Sequence, residues 1–170
     1  MTKIFNYELI STQLGDMMSI ASNECLYFLD FLERCNFESK LTKFKKFHNC
    51  ILKQESNQIT NTIKQELKDY FSGNLKKFNI PLHTTGTVFQ KNAWDKLLLI
   101  PYAETKSYYE QAMAVGNEKA YRAVANANAA NTLAIVVPCH RVINKNYKLG
   151  GYASGLDRKK WLLEHELRNK

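Results

Sequence analysis

The second half of the chain marks its own helix starts, and this restricts the folds open to it more than any other feature. Thr87-Val-Phe-Gln90 and Ser107-Tyr-Tyr-Glu110 each place a hydroxyl three residues before a side chain that can reach back to the first amide. Each pattern predicts a helix. The first carries Phe89, Ala93 and Leu97 on one face and ends at Ile100-Pro101-Tyr102; the second is short and closes at Gly116. Asn117 can then cap a third helix, from Glu118 to about Ala130. Two helices separated by Gly116-Asn117 have the proportions of a helix-turn-helix.

The third helix is unusual in composition. After Arg122 it runs Ala-Val-Ala-Asn-Ala-Asn-Ala-Ala-Asn131, almost all small side chains. Something must approach its backbone closely, either a neighbouring helix or the backbone of a nucleic acid. Charge favours the second. The chain carries a net charge of +8, and residues 86–170 hold 13 Lys/Arg against 7 Asp/Glu while residues 1–85 hold 11 against 9. A polyanion-binding surface therefore belongs to the second half.

The first half reads differently. Ile4 to Ile10, Met17 to Ala21 and Cys25 to Phe31 are short strand-like runs, the last two separated by Ser22-Asn23-Glu24. Helices follow over Ser39 to Asn49 and over residues 57–71, the latter with Ile59, Ile63, Leu67 and Tyr70 on one face. Ser72-Gly73-Asn74 ends it, and Pro81 opens the helical half. Nothing before residue 82 suggests chemistry. The four cysteines lack CxxC spacing, so free thiols in a cytoplasmic protein are expected and a zinc site is poorly supported. No run is long or apolar enough to span a membrane.

Chemistry concentrates in Ile135-Val-Val-Pro138-Cys139-His140-Arg141-Val142. Pro138 fixes its own φ and pushes Val137 towards an extended form, which predicts a buried strand giving way to a turn at Cys139. An adjacent imidazole and guanidinium are what a thiol needs to become a nucleophilic thiolate. A buried thiol beside a surface His-Arg pair would leave the same four residues. Leu149-Gly-Gly-Tyr-Ala-Ser-Gly155 follows, a loop whose backbone can approach a flat ligand, and Asp157 or Ser154 can cap a last helix from Arg158 to Glu166.

Taken together, Thr87–Gln90, Ile100–Tyr102, Ser107-Tyr108, Lys119-Ala-Tyr-Arg122-Ala-Val, Asn131, Pro138–Val142, Gly151-Tyr152 and Trp161-Leu-Leu-Glu-His-Glu166 resemble the O6-alkylguanine-DNA alkyltransferases over residues 84–167. The first half resembles that family only in length and element order. The resemblance implies an α+β protein: a small N-terminal α/β, ribonuclease-H-like domain over residues 1–82, then a mostly helical domain over 83–170 with a winged-helix-like helix-turn-helix. It also implies irreversible, stoichiometric transfer of an alkyl group from O6-alkylguanine in double-stranded DNA to Cys139, with O4-alkylthymine a further candidate. Neither metal nor cofactor is expected, and the protein is expected to act as a monomer.

By the same resemblance His140 takes the thiol proton through a water, Glu166 orients the imidazole, Asn131 is the hinge to the active-site turn, and Tyr108 donates to the flipped base. Arg122 enters the duplex. Ala123, Ala127, Tyr108 and Arg141 share the DNA interface, and Val142, Tyr152 and Ala153 form the pocket. The chain departs from many relatives at Glu118, Ala103 and Ala153; at the last, a contact to O6 would come from backbone rather than a hydroxyl. A non-catalytic lesion sensor, a helix-turn-helix regulator and a cysteine hydrolase are the rival readings.

Overall fold

The apolar runs of the first half pair into one sheet. A computed structural model describes residues 2–170 and divides into two compact units, the first ending at Thr84 and the second beginning at Thr85. In the first unit β1 (Lys3–Thr12), β2 (Gly15–Ala21) and β3 (Leu26–Phe31) form an antiparallel meander, and β4 (Cys50–Gln54) adds to the outer side of β1 in parallel. Period-two alternation gives the sheet two apolar faces. Phe5, Ile20 and Phe28 pack with Phe37, Leu41 and Phe44 of α1 (Phe37–His48). Side chains of the opposite parity, such as Ile10 and Met17, are buried too, and α2 (Gln58–Phe71) packs against β1, β2 and β3. Strand β4 was not expected, because Cys-Ile-Leu-Lys-Gln is short and its apolar residues do not alternate. Helix α1 begins two residues earlier than its basic run suggests.

The second unit is helical. α3 (Val88–Leu98) and α4 (Tyr108–Ala114) start at the two capping boxes, and both boxes form: Gln90 N and Glu110 N donate to Thr87 Oγ1 and Ser107 Oγ, while Gln90 Oε1 and Glu110 Oε2 accept from the first amides. Each cap is worth about 1 kcal/mol. Gly116, at φ 88, makes the corner that Asn117 follows. A single 3-10 turn, Glu118–Ala120, then precedes α5 (Tyr121–Ala130), so the third helix starts three residues later than expected because Asn117 caps through Lys119 N. A two-stranded parallel ladder joins β5 (Lys106–Ser107) to β6 (Val142–Ile143), and α6 (Leu156–Arg168) closes the unit. Gly155, at φ 100, stands at the start of α6, and no side chain caps that position. The expected caps, Asp157 and Ser154, do not serve.

The small residues of α5 have a structural use. Val124 and Ala127 meet Ala93 of α3 and Ala112 of α4, and Trp94 Nε1 donates to Ala127 O at 2.8 Å. Gln111 and Asn128 exchange both amide bonds at 2.9 and 2.7 Å within the same core. The buried side of α5 is thus small because two helices lie against it. Its other side, with Tyr121, Arg122, Ala123 and Asn126, is exposed.

Candidate active site

Cys139 is reached through a buried turn rather than a strand. Asn131 folds residues 133–137 back on themselves: its Oδ1 accepts from Leu133 N at 2.9 Å and its Nδ2 donates to Val137 O at 3.0 Å. Ile135 takes up φ 71 within that turn. Pro138, at φ −83 and ψ 62, then makes an inverse γ-turn, closed by Cys139 N on Val137 O at 2.8 Å. The apolar run therefore does not become the expected strand; the Asn131 side chain satisfies polar groups that a ladder would otherwise have taken. One 3-10 turn, Cys139–Arg141, presents three adjacent side chains in three directions.

The thiol is half-buried, and Asn131 Nδ2 lies 3.3 Å from Sγ, placed to donate to it. The imidazole of His140 is fully buried, with Nε2 2.7 Å from Glu166 Oε1. Glu166 also receives Arg141 Nε at 2.9 Å, Arg141 Nη2 at 3.0 Å and Ala103 N at 3.1 Å. Burial alone would raise the Glu166 pKa, but His140 and Arg141 outweigh it and hold the carboxyl far below the ordinary carboxylate range. For His140 burial is the larger influence. It lowers the pKa despite Glu166, so the imidazole is neutral at pH 7. An ionised Glu166 fixes the tautomer with hydrogen on Nε2. Nδ1 is left as the basic nitrogen, buried and without a hydrogen-bond partner among the described residues.

An open cavity of about 700 Å³ lies against the thiol. Cys139, Tyr108, Arg122, Tyr152 and Ala153 line it, together with Tyr109, Ala125 and Lys145, which the sequence did not single out. Tyr108 Oη donates to Gly151 O at 3.1 Å, and burial, then the nearby Cys139, raises its pKa, so it remains a donor. Gly150, at φ 69, allows this approach: a Cβ there would lie 2.9 Å from the Tyr108 ring.

Three expected residues lie elsewhere. Arg141, expected at the DNA interface, is instead turned inward and buried, its Nη1 on Ile100 O at 2.7 Å and the rest of the guanidinium on Glu166. Ala127 is buried in the helix core. Val142 is fully buried and does not line the cavity, and its carbonyl accepts from Lys159.

Lys159 itself was missed. It lies in the last helix and is fully buried, donating to Val142 O at 2.6 Å and Gly151 O at 3.0 Å beneath the Tyr108 ring. Burial lowers its pKa to about 8, with Cys139 pulling the other way. Its spacing from Leu162 and Glu166, three and seven residues on, puts it on their face of α6 and was the available signal.

A half-buried thiol with an amide donor, a buried cation near it and a neutral imidazole next to it can act as a nucleophile. Two family models match the chain: the ribonuclease-like domain of 6-O-methylguanine DNA methyltransferase over residues 5–84 and its DNA-binding domain over residues 88–168. A protein of Methanosarcina barkeri named methylated-DNA–protein-cysteine methyltransferase is 40% identical over 166 residues, covering 96% of this chain and 98% of the relative. Two crystal structures from Mycobacterium tuberculosis are similar throughout. O6-methylguanine methyltransferase has a TM-score of 0.83 at 36% identity, covering 98% of this chain and 94% of that one. OGT in complex with DNA has a TM-score of 0.83 at 35% identity, covering 96% and 94%.

Proposed function

The chain belongs to the 6-O-methylguanine DNA methyltransferase family and is a methylated-DNA–protein-cysteine methyltransferase. From that premise we propose that it repairs double-stranded DNA by moving the alkyl group of O6-alkylguanine to Cys139, irreversibly and once per molecule. The observation that carries this reading is the Asn131 amide on Cys139 Sγ where the thiol meets the cavity.

The target is an sp³ carbon, which suits a soft thiolate and requires no oxyanion hole. A water between the thiol and His140 Nδ1 relays the proton, and Glu166 stabilises the imidazolium that results. Sγ then attacks the alkyl carbon; the C–S bond forms as the C–O6 bond breaks, and the electron pair passes into the guanine. Tyr108 donates to the departing purine. In balance, the thiol hydrogen ends on guanine and the alkyl group on sulfur. The base is beyond reach inside a duplex, so it is extruded at a cost of a few kcal/mol. Arg122, exposed at the first turn of α5 and lining the cavity, fills the gap. The protein acts as a monomer.

Intact-mass measurement after incubation with a duplex containing one O6-methylguanine tests this. The wild type gains one methyl in place of one hydrogen; Cys139→Ser gains nothing yet still binds the duplex. Demethylated DNA with no mass gain, or a methyl mapped to another residue, would overturn the reading.

A further inference from the structure

The turn between β6 and the glycine-rich segment carries an aromatic side chain that the fold does not use. Residues 144–148 close on themselves, with Asn144 N on Lys148 O at 2.9 Å, Tyr147 N on Asn144 O at 2.9 Å and Lys148 N on Asn146 Oδ1 at 3.2 Å. Tyr147 is held at φ 62, in the left-handed region that side chains other than glycine rarely adopt. Its side chain is 87% exposed, so neither packing nor burial accounts for an aromatic residue there. Lys145 and Lys148 flank it, both exposed.

The turn is also fixed in relation to the cavity. Asn144 and Lys145 line that cavity, which puts Tyr147 two residues beyond its rim. Lys145 Nζ lies 5.0 Å over the Tyr109 ring, and Tyr109 Oη donates to Glu118 at 3.1 Å, so the turn is braced through α4 to the corner that precedes α5. A strained, exposed ring between two lysines beside a nucleotide-sized opening is what base stacking with phosphate contacts requires.

We propose that Tyr147 stacks on the base next to the extruded nucleotide in the target strand, with Lys148 on the adjoining phosphate. The turn and Arg122, which both border the cavity, then support the opened strand together. This inference rests on the alkyltransferase reading and adds a DNA contact to it. Stacking on one base is worth roughly a tenfold change or more in binding.

The test compares wild type with Tyr147→Ala, Tyr147→Gly and Tyr147→Trp, each first checked for a urea midpoint no lower than that of wild type. The readout is the second-order rate of methyl transfer from duplex O6-methylguanine at low salt. The alanine and glycine variants should both fall about tenfold. Tyr147→Trp should keep the wild-type rate, and duplex should quench its fluorescence beyond the quenching that wild type shows from Trp94 and Trp161. Glycine adopts positive φ without strain, so a glycine variant with the wild-type rate would show that the ring is not used and overturn the proposal. Equal rates for all four proteins would do the same while leaving the alkyltransferase reading intact. If wild type itself transfers no methyl to Cys139, both fall together.

Discussion

Glu166 and Lys159 are fully buried charges on one face of α6, and the site depends on how each is satisfied. Glu166 has His140, Arg141 and Ala103 N around it. Replacing it by Gln leaves the Arg141 guanidinium buried without its counter-charge, which should cost about 3 kcal/mol. Its folded pKa lies below the ordinary 4.5, so this stabilisation is present above that pH and is lost as pH falls beneath it. Urea denaturation of wild type and Glu166→Gln should therefore converge in acid. The variant should also transfer methyl more slowly, with a raised apparent thiol pKa, and a pH–rate profile identical to wild type would remove Glu166 from the relay. For Lys159 the shift is a cost of burying the charged form rather than a gain, although stability again rises with pH. Its pKa falls from 10.5 to about 8 on folding, so between those values the unfolded chain holds the proton and the folded chain does not. Wild type should gain stability relative to Lys159→Met as pH rises through that window, by up to about 3 kcal/mol; a constant difference would mean that the ammonium is not desolvated. Pro138-Cys-His-Arg141 marked the candidate site from sequence alone. The direction of each side chain was not legible, because it depends on a 3-10 turn and on Glu166, 25 residues beyond Arg141.

At the level of elements, local signals were readable and long-range ones were not. The capping boxes at Thr87 and Ser107 act within four residues and form as written. Strand β4 and the buried turn at 133–137 depend on partners distant in sequence or on a single asparagine side chain, and periodicity carries neither. Helix α5 shows both cases. Its alanines pointed to close approach, but only packing reveals that Val124 and Ala127 serve the core while Arg122 and Ala123 face outward. Arg122→Ala should therefore impair transfer from duplex DNA much more than reaction with the free O6-alkylguanine base, since only the duplex must be opened. Equal slowing of both substrates, measured as second-order rates, would place Arg122 outside the duplex.

For the whole molecule, the excess positive charge and the candidate site fall in the same half. Residues 86–170 carry 13 Lys/Arg against 7 Asp/Glu, and they also hold Cys139, the proposed relay of His140 and Glu166, and the cavity. The first unit carries its own buried core, and among the described residues no group of three or more His, Cys, Asp or Glu is placed to hold a metal ion. A thioether on Cys139 is inert to thiol exchange. One protein molecule should consequently act once. The direct measurement is product formed against protein added, with methylated duplex in excess and peptide mapping of the spent protein. Repaired DNA should plateau at one equivalent per active molecule with the methyl on Cys139. Product that keeps accumulating beyond one equivalent would contradict the account, because it would make this chain a turning-over enzyme.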